Sequence, residues 1–247
     1  MSYPVFSFVR PRHAPLLAVL TALAGCADPN FGQDPSALTT STQRLAELRG
    51  DLQRDPNDSA ALRNIGDMQA ESGNWSEAMG AYREALLVDS TDRQARLGFG
   101  EGQLALGDYS GALETVRQAG GTDIRSTLLR AGALAGLNRL SEARQVLDAA
   151  SATAPRNLDV RTNIAIVGGL SGDPEAYAIA RAAAFAPDST YSHRRNLVLV
   201  GGMTGYDAFA RQDGAQLGLG SDEINEILTL GRRARTKGMD AFGVLAS

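Results

Sequence analysis

Two consecutive segments of the chain carry the same spacing of small and apolar residues, 34 positions apart. In the first segment, residues 59–92, the spacing falls on Ile65, Gly66, Gly73, Trp75, Ala78, Tyr82 and Ala85. In the second it falls on Phe99, Gly100, Gly107, Tyr109, Ala112, Val116 and Ala119. A period of this length is typical of a pair of helices that stacks on copies of itself, with small residues where the helices touch. This repeat constrains the fold more than any other feature of the sequence.

Weaker copies of the pattern follow the first two. We predict a third repeat over residues 123–157, a fourth over 158–188 and a degenerate fifth over 191–214. The equivalent residues Ala112 and Ala143 are only 31 positions apart, which indicates a shortened connection before repeat three.

Two further helices flank these repeats, and together they predict the fold class. Residues 42–54 are predicted to form a capping half-repeat and residues 221–235 a final helix, and no segment alternates with period two for long enough to form a strand. The predicted fold class is all-α, an α-solenoid of about four to five helix-turn-helix repeats with capping helices.

Residues at the predicted turns support these helix boundaries. Gly73 suits the left-handed turn that ends a helix, and Asn74 with Glu77 matches a capping box at the start of the next helix. The Asp173-Pro174 pair predicts a helix that begins at Pro174. Ser221 is predicted to cap the final helix.

Composition excludes several classes of function. The formal net charge is −4, which argues against nucleic acid as the main partner, since phosphate binding needs a basic face. The chain has one cysteine, Cys26, and two histidines, so we expect no metal site and no intrachain disulfide. His193, beside Arg194 and Arg195, is expected on a solvated face.

No arrangement of residues predicts an enzyme, a cofactor or a small-molecule substrate. The glycines at 98, 100 and 102 lack the glycine at 103 that a dinucleotide-binding loop needs, and they lie within a predicted helix. We therefore expect a non-enzymatic protein. Trp75 and Tyr82 are expected to pack within their repeat rather than to bind a partner.

The first 25 residues have the pattern of a secretory signal. Arg10 and Arg12 precede an apolar run over residues 14–23, which is shorter than the roughly 20 residues of a membrane-spanning helix. The tetrapeptide Leu-Ala-Gly-Cys at residues 23–26 resembles a bacterial lipobox, which implies lipidation of Cys26. The alternative is a plain signal peptide followed by a chance cysteine. Residue 27 is alanine rather than aspartate, which by the same resemblance implies the outer membrane, although Asp28 follows.

The predicted domain boundaries follow from these segments. Residues 1–25 form the lipoprotein signal peptide, and residues 26–41, rich in proline, glycine, serine and threonine, form a flexible tether. Residues 42–247 form the repeat domain.

The ladder of residues 59–119 resembles the tetratricopeptide repeat (TPR), and the later repeats resemble it less closely. TPR proteins bind partners in a groove lined by the first helix of each repeat. By this resemblance the groove-facing residues are Arg63, Asn64 and Asp67 in repeat one, Gln94, Leu97 and Glu101 in repeat two, Arg125 and Leu128 in repeat three, Thr162 and Asn163 in repeat four, and Arg195 and Asn196 in repeat five.

Asn64, Asn163 and Asn196 occupy equivalent positions in this pattern. In peptide-binding TPRs such asparagines hydrogen-bond the backbone of an extended ligand, since the amide both donates and accepts. Alternatively, asparagine is simply a common consensus residue on a polar face.

The whole layout resembles the TPR lipoproteins of the Tad (Flp) pilus-assembly system, the TadD-like family. The resemblance rests on the lipobox at 23–26, a repeat body of about 200 residues after a short tether, and the Arg-Arg-Asn-Leu sequence at 194–197. It implies a lipid-anchored protein on the periplasmic face of the outer membrane that helps to assemble or localise a secretin. The alternative is a scaffold for another envelope process, such as outer-membrane protein assembly or cell-wall enzymes.

Overall fold

A computed structural model describes residues 35–238 and residue 241, and these form helices joined by short turns, with no strand among them. The helices are α1 (Pro35–Arg54), α2 (Ser59–Glu71), α3 (Trp75–Val88), α4 (Arg93–Leu106), α5 (Tyr109–Ala119), α6 (Ile124–Gly136), α7 (Leu140–Thr153), α8 (Leu158–Ser171), α9 (Ala176–Ala184), α10 (Tyr191–Thr204), α11 (Asp207–Gln216) and α12 (Ser221–Lys237). The predicted leader, Cys26 and residues 26–34 of the predicted tether lie outside the described residues.

Helices α2 to α11 form five consecutive pairs, and each helix packs on its neighbours in the chain. The pairs are α2/α3, α4/α5, α6/α7, α8/α9 and α10/α11, with α1 before them and α12 after them. The predicted solenoid of helical repeats with capping helices is confirmed. The fifth pair ends in the short helix α11, as the weak pattern of that repeat predicted.

Side-chain caps fix the starts of the first helices of several pairs. Asp58, Asp92, Asp123 and Asn157 each accept a hydrogen bond from a backbone N–H in the first turn of the helix that follows. These bonds satisfy donors that a helix N-terminus otherwise leaves unpaired. The starts of these helices are therefore specified by residues that are close in sequence, independently of the packing between pairs.

Three of the predicted caps are wrong in detail. Asn74 stands at the N-cap of α3, but its side-chain amide donates to Gln69 Oε1 at 2.9 Å and does not cap the helix. Helix α9 begins at Ala176 rather than at Pro174, because the Asp173 carboxylate accepts from the backbone N–H of Glu175 in a turn before the helix. Helix α12 follows Gly220 and has no side-chain cap, so Ser221 is its first residue rather than its cap.

Helix α1 begins at Pro35, earlier than the predicted start at residue 42, and thus includes residues 35–41 of the predicted tether. Proline is well tolerated in the first turn of a helix, where its missing N–H needs no partner.

Glycines allow the first pairs to stack around Tyr82. The Tyr82 ring is 1% exposed, and a Cβ at Gly66 in α2 or Gly98 in α4 would lie 2.6 or 2.4 Å from ring carbons. The ring therefore fills the space between α2 and α4, which only glycine leaves free. The expected packing role of Tyr82 is confirmed, and Gly98 is a packing residue of α4.

At the last repeat, backbones of two helices come into direct contact. Backbones of α10 and α12 touch at Gly202 and Gly231, where a Cβ on Gly231 would lie 2.3 Å from the Leu199 carbonyl oxygen. Arg195 near the start of α10 pairs with Glu223 near the start of α12, so the two helices run side by side in the same direction. Helix α12 thus adds a further layer to the solenoid and covers one side of α10.

Candidate protein-binding face

The first helices of successive pairs contact one another in order, from α2 through α4, α6 and α8 to α10. We call the side of these helices that carries the predicted groove residues the first-helix face. The twelve residues predicted to bind a partner all lie on these helices, but the structure divides them into two groups by accessibility.

In repeats one to three the first-helix face carries a connected row of polar side chains. Arg63 Nη1 lies 2.6 Å from Asp92 Oδ2 and so ties α2 to the start of α4. Asp67 Oδ1 accepts a hydrogen bond from the Tyr82 hydroxyl at 2.7 Å. Burial raises the pKa of Tyr82 and the Asp67 carboxylate raises it further, so the phenol stays protonated and donates.

Arg125 joins α6 to α4 in the same row. Its guanidinium donates to both carboxylate oxygens of Glu101, from Nε at 2.7 Å and from Nη2 at 2.8 Å, and from Nη1 to Gln94 Oε1 at 2.6 Å. A bidentate pair of this kind holds both side chains in one geometry. The row therefore holds ordered, partly buried charges of both signs.

Asn64 lies in α2 between Arg63 and Asp67, whose side chains make the contacts described above. It is partly exposed, and its side-chain amide makes no hydrogen bond to any other described residue. Its donor and acceptor are thus free for a peptide backbone. This is the one predicted asparagine position that remains accessible in the described part of the chain.

Five of the predicted groove residues are buried, so they do not form an accessible groove. Leu97 is 0% exposed, Leu128 3%, and Thr162, Asn163 and Asn196 are 1% each. The two leucines lie in the apolar clusters between successive pairs. The repeat spacing predicted that these leucines face the groove. In the structure each first helix is contacted from both neighbouring repeats, and the leucines lie in those contacts.

The burial of the polar residues in repeats four and five has a different cause. Helix α10 is contacted by α8, α9, α11 and α12, and Asn196 lies on a side that these helices cover. Asn163 Nδ2 donates to the backbone oxygen of Asp159 at 2.8 Å, four residues earlier in its own helix. Asn163 Oδ1 and Asn196 Nδ2 have no hydrogen-bond partner among the described residues. Arg195, the remaining predicted residue of repeat five, is engaged by Glu223 at 2.9 Å.

His193 was expected on a solvated face, and this prediction is wrong. The ring is 3% exposed and bridges two helices: its Nε2 lies 3.0 Å from Asp159 Oδ1, and its Nδ1 accepts from the backbone N–H of Thr190 at 2.9 Å. The neighbouring arginines led to the prediction of a solvent-exposed face, but α8 packs directly against this side of α10.

An aromatic patch on α9 and α11 was not predicted from the sequence. The rings of Tyr177 and Tyr206 stack with centroids 5.0 Å apart, and the Phe209 ring lies 6.2 Å from that of Tyr206. Phe209 is 62% exposed. The available signal was an aromatic pair outside the repeat ladder in a chain with only 6% aromatic residues.

Two other kinds of site are absent from the described part of the chain. No group of three or more histidine, cysteine, aspartate or glutamate side chains there is arranged to hold a metal ion. None of the described helices combines the length and the apolar character needed to cross a membrane.

Comparison with solved structures decides the type of solenoid. A tetratricopeptide repeat protein from Parabacteroides merdae ATCC 43184 aligns with a TM-score of 0.63 and 17% identity, covering 80% of each chain. A thermophilic TPR protein from Thermus thermophilus aligns with a TM-score of 0.61 and 19% identity over 70% of this chain and 98% of the other. The fold is a TPR-like solenoid.

No protein-family model matches the sequence, and no curated protein matches it either. At these identities the structural likeness shows the fold alone.

Proposed function

We propose that this protein is a non-enzymatic adaptor that binds a partner protein on the first-helix face of repeats one to three. One observation carries the proposal: the polar groove residues of α2, α4 and α6 are exposed or partly exposed, whereas Thr162, Asn163 and Asn196 in α8 and α10 are buried. A partner that binds this face meets the free amide of Asn64, the adjacent Arg63 and the ion pair of Arg125 with Glu101. Such a surface suits an extended peptide with polar side chains.

The binding test uses Asn64→Ala/Gln94→Ala, which removes two amides of the row without a buried cavity. We expect cross-linked partner recovered from membranes to fall about ten-fold, since each lost hydrogen bond costs roughly 0.5–1.5 kcal/mol. The matched control is Ser76→Ala/Gln118→Ala, which changes exposed polar residues on the second helices of the same repeats. Equal recovery with both double variants would contradict a binding site on the first-helix face.

The anchor is a second part of this proposal. The lipobox-like residues 23–26 support lipidation of Cys26 and attachment to the periplasmic face of the outer membrane. In cells labelled with palmitate, the wild type is expected to carry label and to sediment with outer membranes. Cys26→Ser is expected to lose both properties, and label retained on that variant would contradict this part.

We assign the adaptor to Tad/Flp pilus assembly, as a factor that assembles or localises the secretin. The support is the combination of lipobox, short tether and TPR-like body in one chain. Deletion of the gene is expected to abolish Flp pili and secretin multimers. Normal pili in the deletion strain, with defects in outer-membrane protein assembly or cell-wall enzymes, would instead favour the general envelope scaffold.

A further inference from the structure

A second surface lies between α5 and α7, with α6 as its floor, and we call it the α6 groove. Its volume is about 710 Å³, within the roughly 300–1,000 Å³ of pockets that enclose ligand-sized groups. The floor is formed by Ser126, Arg130, Leu134 and Leu137, which recur along one side of α6. Arg125, which belongs to the first-helix face, is not part of this lining.

The walls of the α6 groove combine apolar and polar side chains. Leu113 and Val116 line it from α5, and Val146 lines it from α7. Leu137 at the end of the floor is 37% exposed. Aliphatic side chains of a bound segment would therefore be removed from water by at least three elements of the fold.

The shortened connection in the sequence explains one open end of the groove. Helix α5 has 11 residues, whereas the second helices α3 and α7 have 14 each. Gly120 and Gly121 follow, both with positive φ, so this end of the groove is bordered by backbone. The spacing before repeat three is shorter by three residues, and these three residues correspond to the helical turn that α5 lacks.

This irregular end is held in place from the neighbouring helix. The Arg93 guanidinium donates to the carbonyl oxygens of Ala119 at 3.1 Å and Gly120 at 2.9 Å, and it also bonds Asp123 and Ser126. Carbonyls at a helix C-terminus are otherwise unpaired, and an arginine satisfies them well. The groove is consequently preformed.

The charge on the groove floor lacks a partner. Arg130 is partly buried, and its guanidinium forms no hydrogen bond or ion pair with any described residue. The two glutamates of the lining are already engaged, Glu114 by Arg117 and Glu142 by Arg139. An arginine in a groove that also holds leucine and valine side chains presents a planar set of donors that matches a carboxylate.

We propose that the α6 groove binds a second protein segment, an amphipathic one in which an aspartate or glutamate is flanked by aliphatic side chains. The carboxylate pairs with Arg130, and the aliphatic neighbours pack on Leu113, Leu134 and Val146. This site is separate from the first-helix face, so the adaptor holds two partners, or two segments of one partner, at once.

A display library of short random peptides, selected on the full mature chain, tests the proposal. The expected result is enrichment of peptides that carry an acidic residue between aliphatic ones. Arg130→Gln is expected to weaken the binding of these selected peptides about ten-fold in fluorescence anisotropy, because it removes the charge and keeps a similar length. Replacing the acidic residue of the peptide by its amide should have the same effect.

Matched variants place the selected peptides in the groove. Gln145 is exposed on α7 and lines the groove, so Gln145→Trp is expected to fill the groove and to abolish binding. Ser141 is exposed on the same helix but lies outside the lining, so Ser141→Trp is expected to leave binding unchanged. Asn64→Ala/Gln94→Ala also leaves it unchanged. The proposal is overturned if no acidic–aliphatic peptides are enriched, if Arg130→Gln binds them as wild type does, or if the two tryptophan variants behave alike.

Discussion

The ring and the hydroxyl of Tyr82 have different roles. Its ring occupies the space that Gly66 and Gly98 leave between α2 and α4, and its hydroxyl reaches Asp67 on the first-helix face. Packing and polar ordering of the proposed binding face are thus coupled through one side chain.

Tyr82→Phe keeps the ring and removes the hydroxyl. We expect the free energy of unfolding to fall by about 1–2 kcal/mol, because the hydrogen bond to the Asp67 carboxylate is lost. Urea denaturation followed by circular dichroism measures this change. A stability equal to that of the wild type would show that water replaces the hydroxyl at no cost.

The asparagines show how residues in equivalent positions acquire different roles. Asn64 keeps an accessible amide, whereas Asn163 and Asn196 are buried with one unpaired atom each. The side chain is the same in all three cases. An asparagine can contact a partner only where the neighbouring helices leave its side chain accessible to solvent.

At the scale of elements, the contact between α10 and α12 sets the limit of the open face. Gly202 and Gly231 let the two backbones touch, and α12 thereby covers α10. A larger residue at either position forces the helices apart, since the atoms it would meet are backbone atoms that cannot rotate away.

Gly231→Ala is therefore expected to lower the free energy of unfolding by about 2–3 kcal/mol, the upper range for overpacking in a rigid contact. Gly80→Ala is the matched control, because an added Cβ there meets nothing within 4 Å. That control is expected to raise stability by about 0.5–1 kcal/mol through helix propensity. Equal effects of the two substitutions in thermal or urea unfolding would contradict the close crossing of α10 and α12.

Over the whole molecule, the apolar core is unevenly distributed. Its largest cluster joins α8 to α12 and includes Leu197, Leu199 and Ile227, each 0% exposed. The cluster at α2 to α4 is built around Tyr82 and small alanines. In a solenoid each repeat is stabilised mainly by its neighbours, so stability is expected to rise from the first repeats to the last.

Native-state hydrogen exchange measures this gradient directly. Amides of α10 and α12 are expected to exchange at least about ten-fold more slowly than those of α2 and α3, because opening them exposes more apolar surface. Gly231→Ala should accelerate exchange in α10 and α12 and leave α2 and α3 nearly unchanged. Uniform exchange across the described helices would mean that the repeats unfold as one unit.

The sequence by itself determined the helices, their pairing and their repeat. Small residues at a fixed spacing and turn glycines such as Gly73 and Gly107 act within one or two turns of chain, so their effect is readable without a structure. The side-chain caps predicted from Asn74, Asp173 and Ser221 were wrong in detail. The shortened spacing before repeat three was likewise visible, and it corresponds to the short helix α5.

Only the tertiary structure decided which faces stay open. The burial of Asn163, Asn196 and His193 depends on how closely α8, α10 and α12 approach, and that distance is set by glycines in contact across the chain. The α6 groove depends in the same way on the position of α7 beside a short α5. Spacing fixes the side of a helix on which a residue lies, whereas packing against distant elements fixes what that side meets.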